Sequence, residues 1–510
     1  MNFAMKPVVA ALAIALTTTS ALAEETENAA TWYAAGQKAL KEAKTLYPGF
    51  RRAKNVILFV GDGMGVSTVT AARILDGQMQ GKDGEKNVLA MEKLPYLALS
   101  KTYSANQQTS DSAPTMTAMV TGVKTSDGVL SINQSVARKE KDNAVIQANK
   151  LTTILELAEA KGLSTGVVST ARITHATPAA TYAHIAERDW ESDGNLPAGA
   201  SVKDIAAQLI DNFPKGDGIE VVLGGGRSKF LPNTVNDPED AGKKGERKDG
   251  RNLVDEWTAK FGGQFVYDKA GFDTINPANT KRLLGLFERS HMEYETDRAS
   301  DTAGEPSLAE MTEKAIDILN NNNKKGYFLH VEAGRIDHGH HVGNAYRALT
   351  DTIALDEAVR VAMEKTDPKD TLIIVTADHS HVFTIAGYPK RGNPILGKVV
   401  NPGSDTPALA ADNMPYTTLS YANGLGYREN SPIEAAYTDG LGAQVGRFAD
   451  LASVDTEHMN FHQEALVPLG SETHAGEDVA IYAGGPRAHL FHGVQEQNYI
   501  FHVMQDALGL

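Results

Sequence analysis

The stretch GYFLHVEAGRIDHGHH, residues 326–341, is the part of the sequence that decides the fold. Its first six residues form a largely apolar run, which is typical of a strand covered on both faces of a sheet. The next ten residues contain one Glu, one Asp and three of the chain's 15 histidines. Sites in open α/β sheets form at the carboxyl ends of the strands, so this stretch predicts such a fold with a polar site at one edge.

The same alternation of strand and helix patterns continues along the chain. Helical patterns, such as residues 345–364, lie between apolar runs of strand length. The other strand-length runs are residues 55–60, 164–170, 219–225, 371–377 and 478–485. This order predicts a doubly wound α/β architecture, with a large, mostly parallel central sheet and helices on both faces.

Two segments interrupt this alternation. Residues 232–250 are charged and loop-like. Residues 387–467 are long, rich in turn residues and aromatic side chains, and without strong periodicity. We predict an inserted subdomain over 387–467; a plain loop is the alternative.

The composition excludes some classes of partner and ligand. The 510 residues carry a formal net charge of -15, which disfavours binding to nucleic acid or to an anionic membrane surface. The chain contains no cysteine, so disulfides and thiolate metal sites are excluded. Any metal ion must therefore be held by nitrogen and oxygen ligands.

Residues 1–23 have the pattern of a targeting segment. They contain one Lys, a short apolar centre and the ending Ala21-Leu22-Ala23, which predicts a secretory signal peptide cleaved after Ala23. We therefore expect secretion across the inner membrane, to the periplasm or the outside of the cell. The apolar centre is shorter than the roughly 20 residues of a membrane-spanning helix, and no other stretch is long enough, so we expect no membrane span.

Polar residues lie at the ends of several predicted strands. One such residue alone is most often a turn or helix-capping residue. Because the carboxyl ends of parallel strands meet at one edge of a sheet, several of them together predict one shared site. The residues concerned are Asp62, His175, Thr177, Glu332, Asp378 and His379, with His474 before the last predicted strand.

Two Asp-His pairs suggest a metal site. Asp337 and His341 lie four residues apart, so on a helix both face the same side. A carboxylate with an imidazole suits zinc, and Asp378 with His379 offers a second pair. Two such pairs predict two zinc ions, the arrangement that stabilises in-line phosphoryl transfer. We interpret the remaining histidines of these stretches as structural or water-binding residues; they are His338, His340 and His381.

The stretch QTSDSAPTMTAMVTG, residues 108–122, places Ser112 at the start of a predicted helix. A Ser in this position is most often a helix cap. Three features favour a nucleophile instead. Backbone N–H groups at a helix start attract anions, Pro114 fits a first helical turn, and a neighbouring zinc ion would lower the pKa of the hydroxyl.

Six motifs in one order together resemble the alkaline phosphatase family. They are VGDGMG, DSAPT, HATPAA, VEAGRIDHGHH, TADHSHVF and ETHAGEDVAIYA. The resemblance covers nearly all of residues 24–510, and segments such as LLGLFE and DGRNLVDEW are closer to the animal members than to the enteric bacterial ones. It implies that a homodimer hydrolyses small phosphate monoesters through a phosphoserine, favoured at alkaline pH.

The resemblance also assigns roles to the matching residues. Ser112 is the nucleophile, and Arg188 binds the phosphate oxygens. One zinc ion is held by Asp337, His341 and His474, and the other by Asp62, Asp378 and His379. A magnesium ion is held by Asp62, Thr177 and Glu332. A fourth, calcium-like site of the animal members matches Glu239, Glu288, Glu305 and the carbonyl of Phe287.

A few positions depart from the family pattern. His175 stands where the enteric bacterial members have Asp, which predicts a weaker hold on magnesium, and His338 lies near the same site. Pro114 and Met116 occupy positions near Ser112 where the family more usually has small residues.

Two segments match parts of the family that belong to its dimer. Residues 387–467 match the crown, which caps the dimer near the active sites. Residues 30–47 have a helical pattern and match an arm that reaches the partner subunit. A helix packed on its own chain fits that pattern equally well.

Three other functions fit part of these observations. A sulfatase of the same superfamily needs a Ser or Cys-x-Pro-x-Arg signature, and Met116 stands where that Arg is required. A phosphodiesterase on the same scaffold is a second alternative. A periplasmic metal- or phosphate-binding protein would also gather histidines and carboxylates, but it would need no nucleophile.

Overall fold

The computed structural model describes residues 27–213, 215–322, 324–427 and 451–510. The predicted signal peptide, residues 1–23, and part of the predicted insertion lie outside the described residues. The chain divides into two units, one ending at Tyr47 and one beginning at Pro48. The described part of the first unit is built around helix α1 (Ala29–Ala43), whose first turn is capped by the side chain of Asn28. No residue of α1 is buried.

The second unit contains a ten-stranded central sheet. Seven neighbouring strands are parallel, from Thr371–Ala377 to the edge strand Gln264–Val266, whereas Val479–Gly484 runs antiparallel to both of its neighbours. The predicted mostly parallel sheet is therefore confirmed. In spatial order the strands are β15 (Val494–Glu496), β2 (Tyr96–Lys101), β14 (Val479–Gly484), β8 (Thr371–Ala377), β1 (Asn55–Gly61), β7 (Tyr327–Ala333), β3 (Ser164–Arg172), β4 (Val221–Gly225), β6 (Leu283–Leu286) and β5 (Gln264–Val266).

Helices cover both faces of this sheet, as predicted. Side chains alternate along a strand, so Val56 and Leu58 of β1 join one hydrophobic cluster while Ile57 and Phe59 join another. The helices in the described part of this unit are α2 (Val66–Met79), α3 (Ser112–Thr121), α4 (Asn143–Asn149), α5 (Ile154–Lys161), α6 (Ala176–Ala179), α7 (Ile205–Asp211), α8 (Leu253–Phe261), α9 (Lys269–Thr274), α10 (Leu308–Asn322), α11 (Arg335–His341), α12 (Ala345–Lys365) and α13 (Tyr499–Leu508). The first cluster includes residues of α3, α5 and α13, and the second includes residues of α10 and α12.

Two small sheets lie outside the central one. Strand β11 (Leu419–Gly424) pairs with β10 (Phe383–Ile385) and with β12 (Ala465–Pro468), so the described part of residues 387–467 contains ordered strands. Its equivalence to a crown stays a prediction. Strand β13 (His474–Ala475) pairs with β9 (Ser380–His381), which places His474 opposite His381.

The topology brings the predicted site residues to one edge. Strands β1, β3, β7 and β8 are parallel, so the residues that follow them emerge together. Because β14 is antiparallel to β8, its amino end lies at the same edge, and His474 precedes it there. Among the described residues, no helix is both long and apolar enough to cross a membrane.

Candidate active site

Ser112 is the first residue of α3, as the sequence predicts. Every residue of this helix is buried. Gly122, which follows its last residue, has a left-handed backbone conformation. The Ser112 hydroxyl lies 3.3 Å from Asp62 Oδ1 and 3.2 Å from His379 Nε2. The apolar residues of α3 therefore hold the hydroxyl against two of the predicted metal ligands.

Asp62, Asp378 and His379 form the first ligand group. Asp62 follows β1, and the other two follow β8. His379 Nε2 lies 3.3 Å from Asp62 Oδ1 and 3.3 Å from Asp378 Oδ2. Burial, followed by repulsion from Asp378, Asp337 and Glu332, raises the pKa of Asp62 well above its ordinary value. A divalent cation is the kind of ligand that would relieve this repulsion.

Asp337, His341 and His474 form the second group. Helix α11 carries the first two, and Asp337 Oδ1 lies 3.2 Å from His341 Nε2 and 3.3 Å from His474 Nε2. The Nδ1 atoms of the two histidines lie 2.7 and 2.8 Å from the carbonyls of Glu472 and Ser110. A carbonyl only accepts, so both rings donate from Nδ1 and direct Nε2 towards the ligand group, as metal-ligating histidines do.

The two groups are direct neighbours. The rings of His379 and His474 are stacked, with their centroids 3.6 Å apart. The groups therefore bring two adjacent sets of nitrogen and oxygen ligands to one pocket, with the Ser112 hydroxyl beside the first.

His381 also belongs to the second group, although sequence reasoning interpreted it as an extra residue. Its Nε2 lies 2.8 Å from Asp337 Oδ1, and its Nδ1 lies 2.5 Å from Glu472 Oε2. Burial lowers the pKa of His381, but the carboxylates of Glu472 and Asp337 outweigh this effect and raise it to about 10. A protonated His381 thus holds Asp337 in place. His340 is structural, since it contacts Thr68 Oγ1 and the Tyr421 hydroxyl.

Two of the three predicted magnesium ligands meet at this edge. Asp62 and Glu332, together with the neighbouring His175, have side-chain atoms within 4.8 Å of one another. Glu332 Oε2 accepts a hydrogen bond from Ser169, and burial is the main cause that raises the pKa of Glu332. Within the part of the chain that the structure describes, Thr177 Oγ1 and Glu332 Oε1 are buried without a hydrogen-bond partner. Such orphaned oxygens fit a cation.

Arg188 approaches the same pocket from the segment after α6. It donates from Nη1 to Asp111 Oδ2 at 3.1 Å and from Nη2 to His175 Nε2 at 3.2 Å. Asp111 directly precedes Ser112, so the guanidinium lies close to the serine at the start of α3. This is a suitable place for a group that binds phosphate oxygens.

The predicted fourth group shares no residue with the groups described above. Burial, followed by repulsion from Glu239 and Asp301, raises the pKa of Glu288 to about 8. Burial and repulsion from Glu288 raise the pKa of Glu305 to about 9. Glu239 accepts a hydrogen bond from Arg227 at 2.6 Å, and Phe287, next to Glu288, is buried. Asp301 Oδ2 and Glu305 Oε2 are buried and have no hydrogen-bond partner among the described residues.

Sequence reasoning missed several residues in or beside these groups. Glu472 begins the motif ETHAGEDVAIYA, two positions before His474, so the sequence could have indicated that it lies near the site. Asp301 and His291 lie in no motif, and His291 packs against His338 with ring centroids 4.2 Å apart. Only the folded chain brings these two residues to their sites.

A buried serine hydroxyl next to two mixed carboxylate and imidazole groups, at the carboxyl edge of an α/β sheet, defines a class of protein. The class is the metal-dependent hydrolases.

Comparison with known proteins narrows this class to a family. The sequence model of the alkaline phosphatase family matches residues 53–510. The tissue-nonspecific alkaline phosphatase of Gallus gallus is 45% identical over 511 aligned residues, which cover 98% of this chain and 93% of that protein. The alkaline phosphatase of Gadus morhua is 44% identical, with 93% of this chain and 95% of that protein covered. The chain therefore belongs to the alkaline phosphatase family.

Solved structures agree with this assignment. The alkaline phosphatase of Thermus thermophilus has a TM-score of 0.63 and 26% identity, covering 91% of this chain and 93% of that one. The alkaline phosphatase of the Antarctic bacterium TAB5 has a TM-score of 0.58 at 22% identity, covering 90% of this chain and 99% of that one, and supports the fold alone. The predicted resemblance to animal members is confirmed by the 44–45% identity of animal relatives.

Proposed function

We propose that this protein hydrolyses phosphate monoesters through a phosphoserine formed on Ser112. The observation that carries the proposal is the position of the Ser112 hydroxyl, 3.2 to 3.4 Å from His379 and Asp62. A metal- or phosphate-binding protein would have no need of a nucleophile there. Membership of the alkaline phosphatase family supports the same reaction, favoured at alkaline pH.

The chain's own residues perform two successive displacements. Arg188 holds two non-bridging oxygens of the phosphate, so the phosphorus faces the Ser112 hydroxyl. The Ser112 Oγ–P bond forms while the bond from phosphorus to the leaving oxygen breaks, and the alcohol leaves with a proton. Water then attacks the phosphoserine, which releases inorganic phosphate and restores the Ser112 hydroxyl.

Zinc fits the first two groups and magnesium the third. The Nδ1 donations to backbone carbonyls leave His341 and His474 ready to ligate, and the orphaned Thr177 and Glu332 oxygens suit a hard cation. Asp62, Asp378 and His379 would hold one zinc ion, and Asp337, His341 and His474 the other. Two bound zinc ions supply the positive charge that stabilises a serine alkoxide and a leaving oxygen.

We propose a calcium-like ion for the fourth group. Glu239, Glu288, Glu305 and the Phe287 carbonyl would hold it, together with Asp301. The two unpaired buried oxygens of Asp301 and Glu305 support this assignment. An all-oxygen ligand set of several carboxylates is typical of calcium sites.

Two further properties follow from the family resemblance. We propose that the protein acts as a homodimer capped by residues 387–467, and that it is secreted to the periplasm or the cell exterior. The assembly would be tested by light scattering on the full-length mature protein. N-terminal sequencing of secreted material would test cleavage after Ala23.

The decisive experiment compares three esters of one leaving group. We expect p-nitrophenyl phosphate to be turned over far faster than bis-p-nitrophenyl phosphate or p-nitrophenyl sulfate. Met116, which is fully buried in α3, occupies the position where the sulfatase signature requires an arginine. We therefore expect slow hydrolysis of the sulfate ester. A sulfate or diester preference would contradict the proposal.

A further inference from the structure

Three histidines beside the proposed active site have no role in the reaction described above. His175, His291 and His338 are half-buried, and one ring nitrogen of each lies within 4.8 Å of those of the other two. Their ring centroids are 4.2 Å apart for His291 and His338, 5.2 Å for His175 and His291, and 5.6 Å for His175 and His338. A single ligand group can therefore reach all three rings. We call this cluster the histidine trio.

Each ring of the histidine trio has one nitrogen directly opposite an arginine. The contacts are Arg188 Nη2 to His175 Nε2 at 3.2 Å, Arg172 Nη1 to His291 Nε2 at 2.6 Å and Arg335 Nη1 to His338 Nδ1 at 3.0 Å. A guanidinium only donates, so the ring nitrogen opposite it has to accept. A neutral imidazole then carries its proton on the other nitrogen, which is a donor.

The arginine contacts fix the three rings in the neutral state, because a ring nitrogen that accepts a hydrogen bond carries no proton. The histidine trio therefore offers one N–H donor from each ring.

Two members of the trio lack a suitable acceptor for that proton. Among the described residues, no hydrogen-bond partner exists for the buried Nδ1 of His175. In His291, Nε2 faces the Arg172 side chain while Nδ1 lies 3.3 Å from the Arg172 backbone N–H. A neutral ring cannot accept at both nitrogens, so the protonated nitrogen of His291 faces an N–H donor of Arg172. An oxygen acceptor would satisfy these groups.

A metal ion is the other ligand that three imidazoles could bind. A ligating nitrogen needs a lone pair, and its ring then donates the other N–H to a carboxylate or a carbonyl. His341 and His474 show that pattern, with Nδ1 against backbone carbonyls. In the histidine trio guanidinium donors occupy the corresponding positions, which favours an oxyanion over a cation.

We propose that His175, His291 and His338 form an oxyanion subsite that binds a carboxylate or phosphate group next to the reacting phosphate. The inference rests on the proposed phosphomonoesterase activity. Arg188, which would hold the reacting phosphate, touches His175 directly. A second anionic group a few bonds from phosphorus is therefore within reach, and the subsite would favour monoesters that carry one. A free carboxylate or phosphate ion offers the same chemistry.

The test uses two substrates of nearly equal size, phosphoglycolate and ethyl phosphate, which differ by a carboxylate in place of a methyl group. For the wild-type holoenzyme we expect a lower KM for phosphoglycolate. In His291→Ala the KM for phosphoglycolate should rise about tenfold, as expected for the loss of one hydrogen bond to a charged group, while that for ethyl phosphate changes less than about twofold. His291→Gln, which keeps an N–H donor, should retain part of the preference, and His291→Asp should abolish it. His492→Ala, at an exposed histidine, is the matched control.

A second arm distinguishes the source of the anion. If added acetate changes ethyl phosphate turnover in the wild type but not in His291→Ala, the subsite takes a free anion. An equal rise in KM for both substrates would mean that His291 only supports the site of the reacting phosphate, and the proposal would be wrong. Loss of a bound metal ion from His291→Ala, measured by elemental analysis, would also overturn it. If the wild type turned over neither ester, the proposed function itself would fail.

Discussion

Two acidic clusters lie at opposite edges of the central sheet. Asp62, Asp378 and His379 lie at the carboxyl edge, whereas Glu159, Asp217 and Glu220 lie near the amino ends of β3 and β4. Each cluster brings its ligand atoms within 4.8 Å of one another. By proximity alone, both could hold a metal ion.

The hydrogen bonds of the two clusters differ. Glu159 accepts from the Thr165 hydroxyl and from the backbone N–H groups of Asp217 and Gly218, and Glu220 accepts from the Thr165 N–H. Arg282 lies 2.7 Å from Asp217. At the carboxyl edge, by contrast, buried oxygens of Asp378 and Glu332 have no hydrogen-bond partner among the described residues. Clustered carboxylates therefore indicate a metal site only where the protein leaves some of their oxygens unsatisfied.

The largest expected effect comes from removing the Ser112 hydroxyl, which should stop the reaction at the carboxyl edge and leave metal binding intact. Ser112→Ala should lower kcat for p-nitrophenyl phosphate by at least about 10⁴-fold, because no other group can form the covalent intermediate. Zinc content should stay unchanged, because Ser112 contributes no carboxylate or imidazole. Steady-state kinetics with elemental analysis checks both, and Ser135→Ala, at an exposed serine, is the control. A variant with near wild-type turnover would remove Ser112 from the mechanism.

Metal removal should act on one cluster only. Dialysis against a chelator should lower kcat by about 10³-fold or more, since several kcal/mol of charge stabilisation is lost, and added zinc should restore it. Asp378→Asn should bind less zinc, whereas Glu220→Gln should bind the wild-type amount. Equal zinc loss in both variants would show that the amino-edge cluster also binds metal.

The fourth group should link calcium to pH. Glu288 and Glu305 have pKa values of about 8 and about 9 in the folded protein, against 4.5 ordinarily. The folded state therefore binds more protons than the unfolded state, so without calcium the stability falls as pH rises from about 5 to 9. Calcium should raise Tm at pH 9 by about 3–8 °C and flatten this slope.

Differential scanning fluorimetry with and without calcium measures that effect. The double variant Glu288→Gln, Glu305→Gln should lose the response to calcium, because its site keeps too few charged ligands. A calcium effect that persists in the double variant would place the ion elsewhere.

The smallest effect concerns the amino-edge cluster. Burial, followed by repulsion from Glu159, raises the pKa of Glu220 to about 8. Its stabilising contribution is complete below its ordinary pKa and is lost as pH rises through 8. Glu220→Gln cannot ionise, so its Tm should exceed that of the wild type by about 1–3 °C at pH 9, and the gap should close towards pH 5. An unchanged kcat would confirm that this cluster is separate from catalysis.

Much of the fold could be predicted because buried parallel strands carry long apolar runs. β8 was predicted with its observed bounds, and β1, β3, β4, β7 and β14 differ from prediction by one or two residues at their ends. β5 and β15 have three residues each, too few for a periodic pattern, and β2 at the antiparallel side alternates only partly. Their pairing depends on neighbours that sequence periodicity does not reveal.

The site could be predicted where polar residues belong to motifs after strands. Asp62, Asp378 and His379 emerge directly from strand ends, so topology alone brings them together. Arg188 would pass for a surface residue without the family resemblance. His291 reaches its neighbours only through the folding of a loop that carries no motif, and no local pattern points to it.

The pairing of β13 with β9 has a consequence for biosynthesis. It supplies His474, from near the end of the chain, to a ligand group whose other members come 93 or more residues earlier. A chain that is exported, as proposed above, cannot complete this group until almost all of it has crossed the membrane. We therefore expect the second zinc ion to be captured late, by a nearly finished chain, and to lock the C-terminal strands onto a core that has already formed.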